Sequence, residues 1–260
     1  MQIDSKRVAS GHIHSPFLAL ARPWATETQG EVYGYSFVYS GNFLAQVEVD
    51  PYHVTRAMLG INPHQFGWEL EPGAAFTAPE AVMVYSDAGL NGMSRTFHDV
   101  YRKHLISPKW SGKKRPILIN NWEATYFDFN EEKIMELAAD AKALGIELFV
   151  LDDGWFGKRD NDASSLGNWT ADPKKLPNGV EGLAEKIHSL GLQFGLWFEP
   201  EMVSVGTPIH EDHPDWKIGH PGKNISHGRN QYVLDFSRPE VVQNIFNQMD
   251  AILGSKSIDY

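Results

Sequence analysis

Two kinds of hydrophobic pattern follow one another along the chain. From Gly30 to Val49, aromatic and β-branched residues alternate with small or polar ones, and Ser40-Gly41-Asn42 interrupts the alternation. A two-residue period broken by turn residues predicts a β-hairpin. Shorter runs of the same kind at 56–61 and 81–85 predict further strands. The first hundred residues are therefore expected to form part of a β-sandwich.

After Pro116 the period changes. Short, almost continuously apolar runs at 117–121, 146–151 and 192–198 predict strands that are buried on both faces, and a fourth strand is predicted to begin at Ile258. Segments with helical spacing of apolar residues lie between these runs. Buried strands that alternate with amphipathic helices are typical of a parallel sheet covered by helices.

The helix boundaries also have sequence signals. Asn130 and Asn178 are predicted N-caps, and Ser237 with Glu240 predicts a capping box at the start of the last helix. Each of the three helices ends at a Leu-Gly pair, where a C-terminal glycine is favoured. The repeated unit is thus strand, loop, helix and strand.

Two architectures fit this unit, a doubly wound sheet and a (β/α)₈ barrel. A doubly wound sheet is expected to carry a glycine-rich phosphate loop after its first strand, but Asn120-Asn121-Trp122-Glu123 stands there. Long loops that begin with acids and aromatics favour a barrel. We therefore predict an α/β fold, a partial TIM (β/α)₈ barrel preceded by part of a β-sandwich domain.

The length sets the expected domain boundaries. A whole barrel needs about 250 residues, so the chain is expected to carry half of one, as a fragment or as one piece of an assembly. We predict the C-terminal part of a β-sandwich at 1–106, a basic linker at 107–116 and the first half of a barrel at 117–260. A half barrel leaves strand edges unpaired, which predicts self-association of the chain alone.

Composition removes several classes of function. The formal charge is −10, which argues against nucleic acid as a partner. The chain has no cysteine, so disulfides, thiolate metal sites and a cysteine nucleophile are excluded. No apolar run approaches about 18 residues, so no membrane partner is expected. Eight tryptophans are more than a core of this size needs, and indole rings suit flat ligands and sugar rings.

Acids and tryptophans follow the predicted strands. Asp152 and Asp153 come after the second strand, Trp122 follows the first, and Trp197 stands at the end of the third. Since the carboxyl ends of barrel strands share one face, we expect these side chains to meet in one cavity. Of Glu199 and Glu201, which flank Pro200, one is expected to face this cavity, and the sequence leaves open which.

Other interpretations of these residues stay open from the sequence alone. The two aspartates either bind a ligand or pair with Arg159 or Lys158. The tryptophans either line a pocket or fill the core. Arg229 is either a surface charge or a bidentate partner of a cavity carboxylate. Histidine pairs such as His210 and His213 lie in a loop and do not show reliable zinc spacing.

Long strings of residues carry a family resemblance. NNWEATYFDFN, LFVLDDGWFG, GNWTADPKKLPNG, FGLWFEPEMV and GRNQYVLDFSRPEV, in this order, resemble the bacterial α-galactosidases of glycoside hydrolase family 36. GINPHQFGWELEPG resembles the end of that family's N-terminal β-supersandwich. The resemblance implies release of terminal α-linked galactose from melibiose, raffinose and related oligosaccharides, with retention and without a cofactor. It also implies a cytoplasmic homo-oligomer, with a tetramer suspected.

The resemblance assigns roles position by position. The implied substrate-binding residues are Asp152, Asp153, Trp122, Trp197 and Arg229. The nucleophile and the acid/base are expected beyond Tyr260, so no catalytic residue and no metal ligand is predicted within the chain. Chemistry agrees, because a retaining glycosidase needs two carboxyls about 5–5.5 Å apart across the glycosidic bond, and neighbouring aspartates cannot straddle it.

Two hypotheses from other classes remain. The first is a metal-dependent barrel enzyme of the enolase type, with Asp153 and Glu199 as ligands of Mg²⁺. The second is a catalytically inert fragment that binds sugar passively. We expect no turnover by residues 1–260 alone.

Overall fold

Alternating side chains form two antiparallel sheets in the N-terminal part of the chain. The computed structural model describes residues 1–220, 222–225 and 227–260, and these residues divide into two compact units, Met1–Lys113 and Lys114–Tyr260. The first unit contains β1 (Gln2–Asp4), β2 (Phe17–Ala21), β3 (Val32–Phe37), β4 (Phe43–Val49), β5 (Thr55–Ile61), β6 (Ala81–Ser86), α1 (Gly89–Val100), a π-helical turn (Tyr101–Leu105) and α2 (Pro108–Ser111).

The two sheets of the first unit have the strand orders β1-β4-β5 and β2-β3-β6. Helix α1 packs on β3 and β6 through Met93 and Phe97, which are buried together with Val32 and Val84. Gly34 makes this contact possible, because a Cβ there would lie 2.5 Å from the Phe97 ring. The two strands of the predicted β-hairpin are present as β3 and β4, but the predicted pairing is wrong, because β3 pairs with β2 and β6 whereas β4 pairs with β1 and β5.

The second unit is built around parallel strands. It contains β7 (Leu118–Asn120), α3 (Trp122–Thr125), α4 (Glu131–Ala143), β8 (Leu148–Leu151), α5 (Gly179–Ser189), β9 (Gln193–Leu196), β10 (Met202–Ser204), α6 (Pro208–Asp212), β11 (Gln231–Val233) and α7 (Pro239–Leu253). The sheet has the order β7-β8-β9, and both pairings are parallel. β10 and β11 form a separate antiparallel pair.

The apolar stripes of α4 and α5 cover the sheet. Ile134 and Ala138 of α4, and Leu183 and Ile187 of α5, are fully buried in the same core as Phe149 of β8. The whole of β8 is buried, as its continuously apolar sequence predicts for a central parallel strand. No helix in the described part of the chain has both the length and the apolar character needed to cross a membrane.

The last residues continue the sheet beyond β9. The N–H of Asp259 donates to the carbonyl of Phe194 at 2.8 Å, and the N–H of Leu196 donates to the carbonyl of Tyr260 at 2.9 Å. Residues 258–260 are not assigned to a strand, yet they form the backbone contacts expected at the start of the predicted fourth strand.

The three predicted helix caps have different outcomes: Asn130 is confirmed, Asn178 has the predicted position without the cap hydrogen bond, and the capping box is wrong. Asn130 does cap α4, because its side chain accepts the N–H of Lys133 at 2.9 Å. Asn178 makes no cap hydrogen bond; its amide instead donates to Glu131, which is also paired with the ammonium of Lys186. The Asn178 side chain therefore binds the buried Glu131 carboxylate and does not cap α5.

The predicted capping box of α7 is also absent. The helix begins at Pro239, and the hydroxyl of Ser237 donates to Asp235 at 2.6 Å. The Glu240 carboxylate accepts from Arg238 at 2.7 Å. Ser237 and Glu240 therefore do not make the reciprocal backbone contacts of a capping box, and each is bonded to a neighbouring side chain.

Candidate functional site

The carboxyl ends of β7, β8 and β9 lie side by side. In the parallel register Asn120 is opposite Val150, and Leu151 is opposite Leu196. The residues that follow these positions must therefore leave the sheet at one edge. This brings the segments that begin at Asn121, Asp152 and Trp197 together, as the sequence predicts.

Asp152 is half-buried and is held by neighbouring backbone and amide groups. Its carboxylate accepts a hydrogen bond from the side-chain amide of Asn120 and a second one, at 2.7 Å, from the N–H of Asp153. Its own N–H donates to the Asn121 side chain at 2.8 Å. Asn120 and Asn121, at the end of β7, therefore orient Asp152 at the end of β8, and Asp152 stays partly accessible.

Asp153 has a different environment. Both of its carboxylate oxygens accept from Arg159, from Nε and from Nη2, each at 2.7 Å. The Arg159 side chain is completely buried, and that of Asp153 is 9% exposed. Pairing with Arg159, which the sequence left open beside Lys158, is therefore present; Lys158 is exposed. The pairing does not exclude a ligand, because each carboxylate oxygen has two lone pairs.

Arg159 lies between two phenylalanine rings, and each of these rings contacts one of the two predicted sugar-binding tryptophans. Its guanidinium carbon lies 5.8 Å from the ring centres of both Phe127 and Phe156. Phe127 contacts Trp122 edge-on at 5.0 Å, and Phe156 is stacked with Trp197 at 6.4 Å. Both tryptophans are half-buried, which suits a pocket wall better than the centre of a core.

The backbone at Trp197 is held by the buried indole of Trp155. Trp155 is fully buried, and its Nε1–H donates to the carbonyl of Trp197 at 3.0 Å. Phe198 packs edge-on against the same indole at 5.4 Å. The loop after β8 therefore supports the loop after β9.

Glu199 is the glutamate that faces the acids. Its side chain is 19% exposed, and one oxygen lies 4.0 Å from Nη2 of Arg229. Burial raises the pKa of Glu199 above its ordinary value; Arg229 and Arg159 oppose this rise, and the Glu201 and Asp153 carboxylates add to it. Glu201 itself is exposed.

Arg229 is the most exposed of the predicted site residues, with 56% of its side chain accessible. It and Asn230 have positive φ angles of 50° and 59°, which non-glycine residues rarely adopt. The side chain of Gln231 holds the segment by donating to the carbonyl of Asp162 at 2.9 Å. Arg229 thus projects from a tight turn with its guanidinium near Glu199.

Lys175 supports the site and was missed in the sequence. Its ammonium donates to the carbonyls of Phe127, Gly154 and Arg159 at 2.9–3.0 Å. It is also paired with the exposed Asp160 at 3.0 Å. One buried cation therefore joins the loop after β7 to two positions of the loop after β8.

The arrangement disfavours the metal hypothesis. Asp153 is already neutralised by a guanidinium, and a second cation between it and Glu199 would be repelled by Arg159. Within the ranges that the structure covers, no three acidic or histidine side chains are grouped as metal ligands would be. His213, one of the candidate histidines, is stacked on Trp216 at 3.7 Å.

Family models match both parts of the chain. The Melibiase family matches residues 75–260, and the glycosyl hydrolase family 36 N-terminal domain matches residues 1–71. The chain is 57% identical to alpha-galactosidase AgaA of Geobacillus stearothermophilus over 257 residues, which are 99% of this chain and 35% of that relative. It is 49% identical to alpha-galactosidase Mel36A of Lactobacillus acidophilus, again over 99% of this chain and 35% of the relative. The chain thus spans about a third of the length of the curated relatives that it matches.

Solved structures give the same result for the fold. The crystal structure of AgaA, a GH36 alpha-galactosidase, superposes with a TM-score of 0.97 at 56% identity, over 100% of this chain and 36% of that one. A variant of AgaA solved in complex with raffinose gives a TM-score of 0.96 over 99% of this chain and 36% of that chain. The predicted fold, part of a β-sandwich followed by part of a barrel, is confirmed.

Proposed function

Because this chain belongs to glycoside hydrolase family 36, we propose that it supplies the galactose-binding part of a retaining α-galactosidase. The whole protein would release terminal α-linked galactose from oligosaccharides such as melibiose and raffinose. The observation that carries this proposal is the convergence of two aspartates and two tryptophans at one edge of the β7-β8-β9 sheet. Relatives that share this part of the chain are named alpha-galactosidases, and a variant of AgaA has been crystallised with raffinose.

We assign the sugar hydroxyls to the paired acids. Asp152 and Asp153 leave one strand end together, so they cannot lie on opposite sides of a glycosidic bond. Carboxylates fixed by Asn120 and Arg159 are suited to accept hydrogen bonds from hydroxyl groups and to orient the ring. In this proposal Trp122 and Trp197 are walls of the sugar site.

Arg229 completes the proposed sugar site from the side of β11. Its exposed guanidinium lies near Glu199 and carries donors that a sugar oxygen can use. We place the nucleophile and the acid/base in the polypeptide that follows Tyr260 in the whole protein. No catalytic residue is therefore assigned within 1–260.

We extend the proposal to the domain boundaries and to the state of the whole protein. Residues 1–106 are the end of the N-terminal β-supersandwich, 107–116 are a linker and 117–260 are the first half of the barrel. The division between Lys113 and Lys114 falls inside this linker. The whole protein is proposed to be a cytoplasmic homo-oligomer, with a tetramer as the state to test first, and to have no nucleic-acid or membrane partners; cell fractionation and light scattering would test its location and its oligomeric state.

A chimera tests the enzymatic proposal. Residues 1–260 replace the matching 35% of the Geobacillus stearothermophilus enzyme, and hydrolysis of p-nitrophenyl α-D-galactoside is compared with that of the β-galactoside and the α-glucoside. We expect turnover of the α-galactoside alone, with the α-anomer of galactose as the first product in NMR. An inactive but folded chimera, or the β-anomer as first product, contradicts the proposal. Residues 1–260 alone are expected to be inactive.

Asp153 provides the residue-level test in the same chimera. Asp153→Ala is expected to lower kcat/KM by orders of magnitude, because the sugar loses an ionic hydrogen-bond acceptor and Arg159 loses its partner. A value close to that of the unmodified chimera would assign Asp153 a purely structural role.

A further inference from the structure

Arg159 touches the proposed sugar site without facing solvent. Its side chain is completely buried, its Nε and Nη2 are both used on Asp153, and Nη1 donates to the carbonyl of Ser164 at 2.5 Å. Every nitrogen of the guanidinium thus has an acceptor within the protein. This side chain therefore has little to offer a sugar directly, and all of its effect must pass through its partners.

We propose that Arg159 is a positioning residue for substrate binding: its two-pronged contact fixes the Asp153 carboxylate in the orientation that accepts the galactose hydroxyls. The inference rests on the proposed function. A bidentate pair holds both oxygens of a carboxylate in the plane of the guanidinium, which a single hydrogen bond cannot do. The free lone pairs of Asp153 then keep a fixed direction.

The guanidinium can serve as a fixed reference because it packs between two aromatic rings and the Arg159 main chain is hydrogen-bonded. Phe127 and Phe156 lie 5.8 Å from its carbon. The backbone N–H of Arg159 donates to the carbonyl of Phe156, and its carbonyl accepts from the buried ammonium of Lys175. Side chain and main chain are therefore held independently.

The charge of Arg159 is a second reason to assign it a role at the candidate site. Asp153 and Glu199 are close enough for the Asp153 carboxylate to contribute to the raised pKa of Glu199. Of the two arginines that oppose this effect, Arg229 is exposed and Arg159 is not. Arg159 is thus the buried cation that compensates Asp153 directly, whereas the larger opposing influence on Glu199 comes from the exposed Arg229.

The paired aspartates are therefore not equivalent. Asp152 is oriented by the neutral amide of Asn120 and by a backbone N–H, whereas Asp153 is oriented by the bidentate guanidinium of Arg159. Loss of Arg159 should disturb the contacts of Asp153 and leave those of Asp152 in place. This difference makes the inference testable by coupling between residues.

The test is a double-mutant cycle in the active chimera defined above. Arg159→Met is compared with Asp153→Asn, with the double variant, and with Lys158→Met, which removes the neighbouring exposed cation. We expect Arg159→Met to lower kcat/KM about 10- to 100-fold, by analogy with removal of the hydrogen-bond partner that orients a metal-ligating side chain. Lys158→Met should stay within about twofold of the unmodified chimera, as for most surface changes.

The coupling distinguishes positioning from general damage. If Arg159 acts through Asp153, the double variant should have the same kcat/KM as Asp153→Asn alone. Losses that multiply in the double variant, or an Arg159→Met enzyme as active as Lys158→Met, would overturn the inference. An inactive unmodified chimera would instead overturn the proposed function, and the inference with it.

A conservative variant covers the case in which Arg159→Met does not fold. Arg159→Lys keeps the charge but loses the fork, so it should recover part of the activity and should bind galactose more weakly, with KM raised more than kcat is lowered. Its cycle with Asp153→Asn must show the same absence of further loss. Full activity of a folded Arg159→Lys enzyme would show that the Asp153 carboxylate does not need a bidentate partner.

Discussion

Replacing Lys175 by methionine is expected to loosen the loops beneath the candidate site. Methionine has nearly the same length and can keep the contact with the Phe129 ring, over which the ammonium lies at 4.9 Å. The variant therefore removes the charge and its hydrogen bonds with little change in volume. The carbonyls of Phe127, Gly154 and Arg159 would lose a donor that now lies 2.9–3.0 Å away.

The magnitude follows from these contacts. Hydrogen bonds to charged groups contribute about 1.5–3 kcal/mol each, and three of them are lost. The cost of burying an ammonium, several kcal/mol, is relieved at the same time. The ion pair with Asp160, whose side chain is 70% exposed, adds little. We expect a net loss of about 3 kcal/mol in the free energy of unfolding, or about 6–12 °C in the Tm of a cooperative unit of this size.

The neighbouring lysine is a matched control. Lys174 is exposed, so Lys174→Met should change the free energy of unfolding by no more than about 0.5 kcal/mol. Thermal unfolding of both variants is followed by tryptophan fluorescence at low protein concentration, which limits self-association. Hydrogen exchange should rise at 154–159 in the Lys175 variant alone. Equal Tm values for the two variants would refute the conclusion that Lys175 stabilises the loops after β7 and β8.

Three further changes have defined outcomes. Because burial raises the pKa of Glu199, the folded state binds that proton more tightly than the unfolded state; the resulting stabilisation is full below the ordinary value of 4.5 and is lost as pH rises through the folded pKa. Glu199→Gln should therefore raise the urea midpoint at neutral pH, and the gain should shrink in acid. Asn120→Asp replaces the donor to Asp152 by a second carboxylate and should weaken galactose binding by the whole protein about tenfold or more in calorimetry. Leu183→Ala, at a fully buried position of α5, should cost about 2–5 kcal/mol in urea unfolding.

The periodic elements were predictable because local pattern and burial agree. β4 was predicted at the residues where it is found, since Phe43 to Val49 alternates between a buried face and a more accessible one. The buried strand β8 follows from the apolar run that ends at Leu151. The edge at which the acids and tryptophans meet was also predictable, because parallel strands place their carboxyl ends together.

The partner of Asp153 was not predictable to the residue. Lys158 and Arg159 are adjacent cations, and either could reach an acid six residues away or fewer. The choice is made by tertiary packing, since Phe127 comes from the loop after a different strand and forms one side of the slot that accepts Arg159. Sequence spacing does not contain that information.

The two lysines of GNWTADPKKLPNG show the same limit. Asp172 accepts the N–H of Lys174 at 2.8 Å through its side chain and the N–H of Leu176 at 2.8 Å through its carbonyl. This turn directs Lys175 inward and Lys174 outward. An aspartate followed by Pro-Lys-Lys signals a turn, but which lysine is buried depends on the three carbonyls that converge from other loops.

In the proposed enzyme, the charges of the candidate site suit a neutral sugar that becomes positive as it reacts. Three carboxylates, those of Asp152, Asp153 and Glu199, are opposed by two guanidiniums, those of Arg159 and Arg229. Among these five side chains the carboxylates outnumber the guanidiniums by one. Glycoside hydrolysis passes through a transition state with oxocarbenium character, which negative groups fixed in advance stabilise more than they stabilise the neutral sugar. In the proposed enzyme, Asp153, fixed by Arg159, would contribute to that stabilisation without reorienting during the reaction, and Arg159 would act only through Asp153.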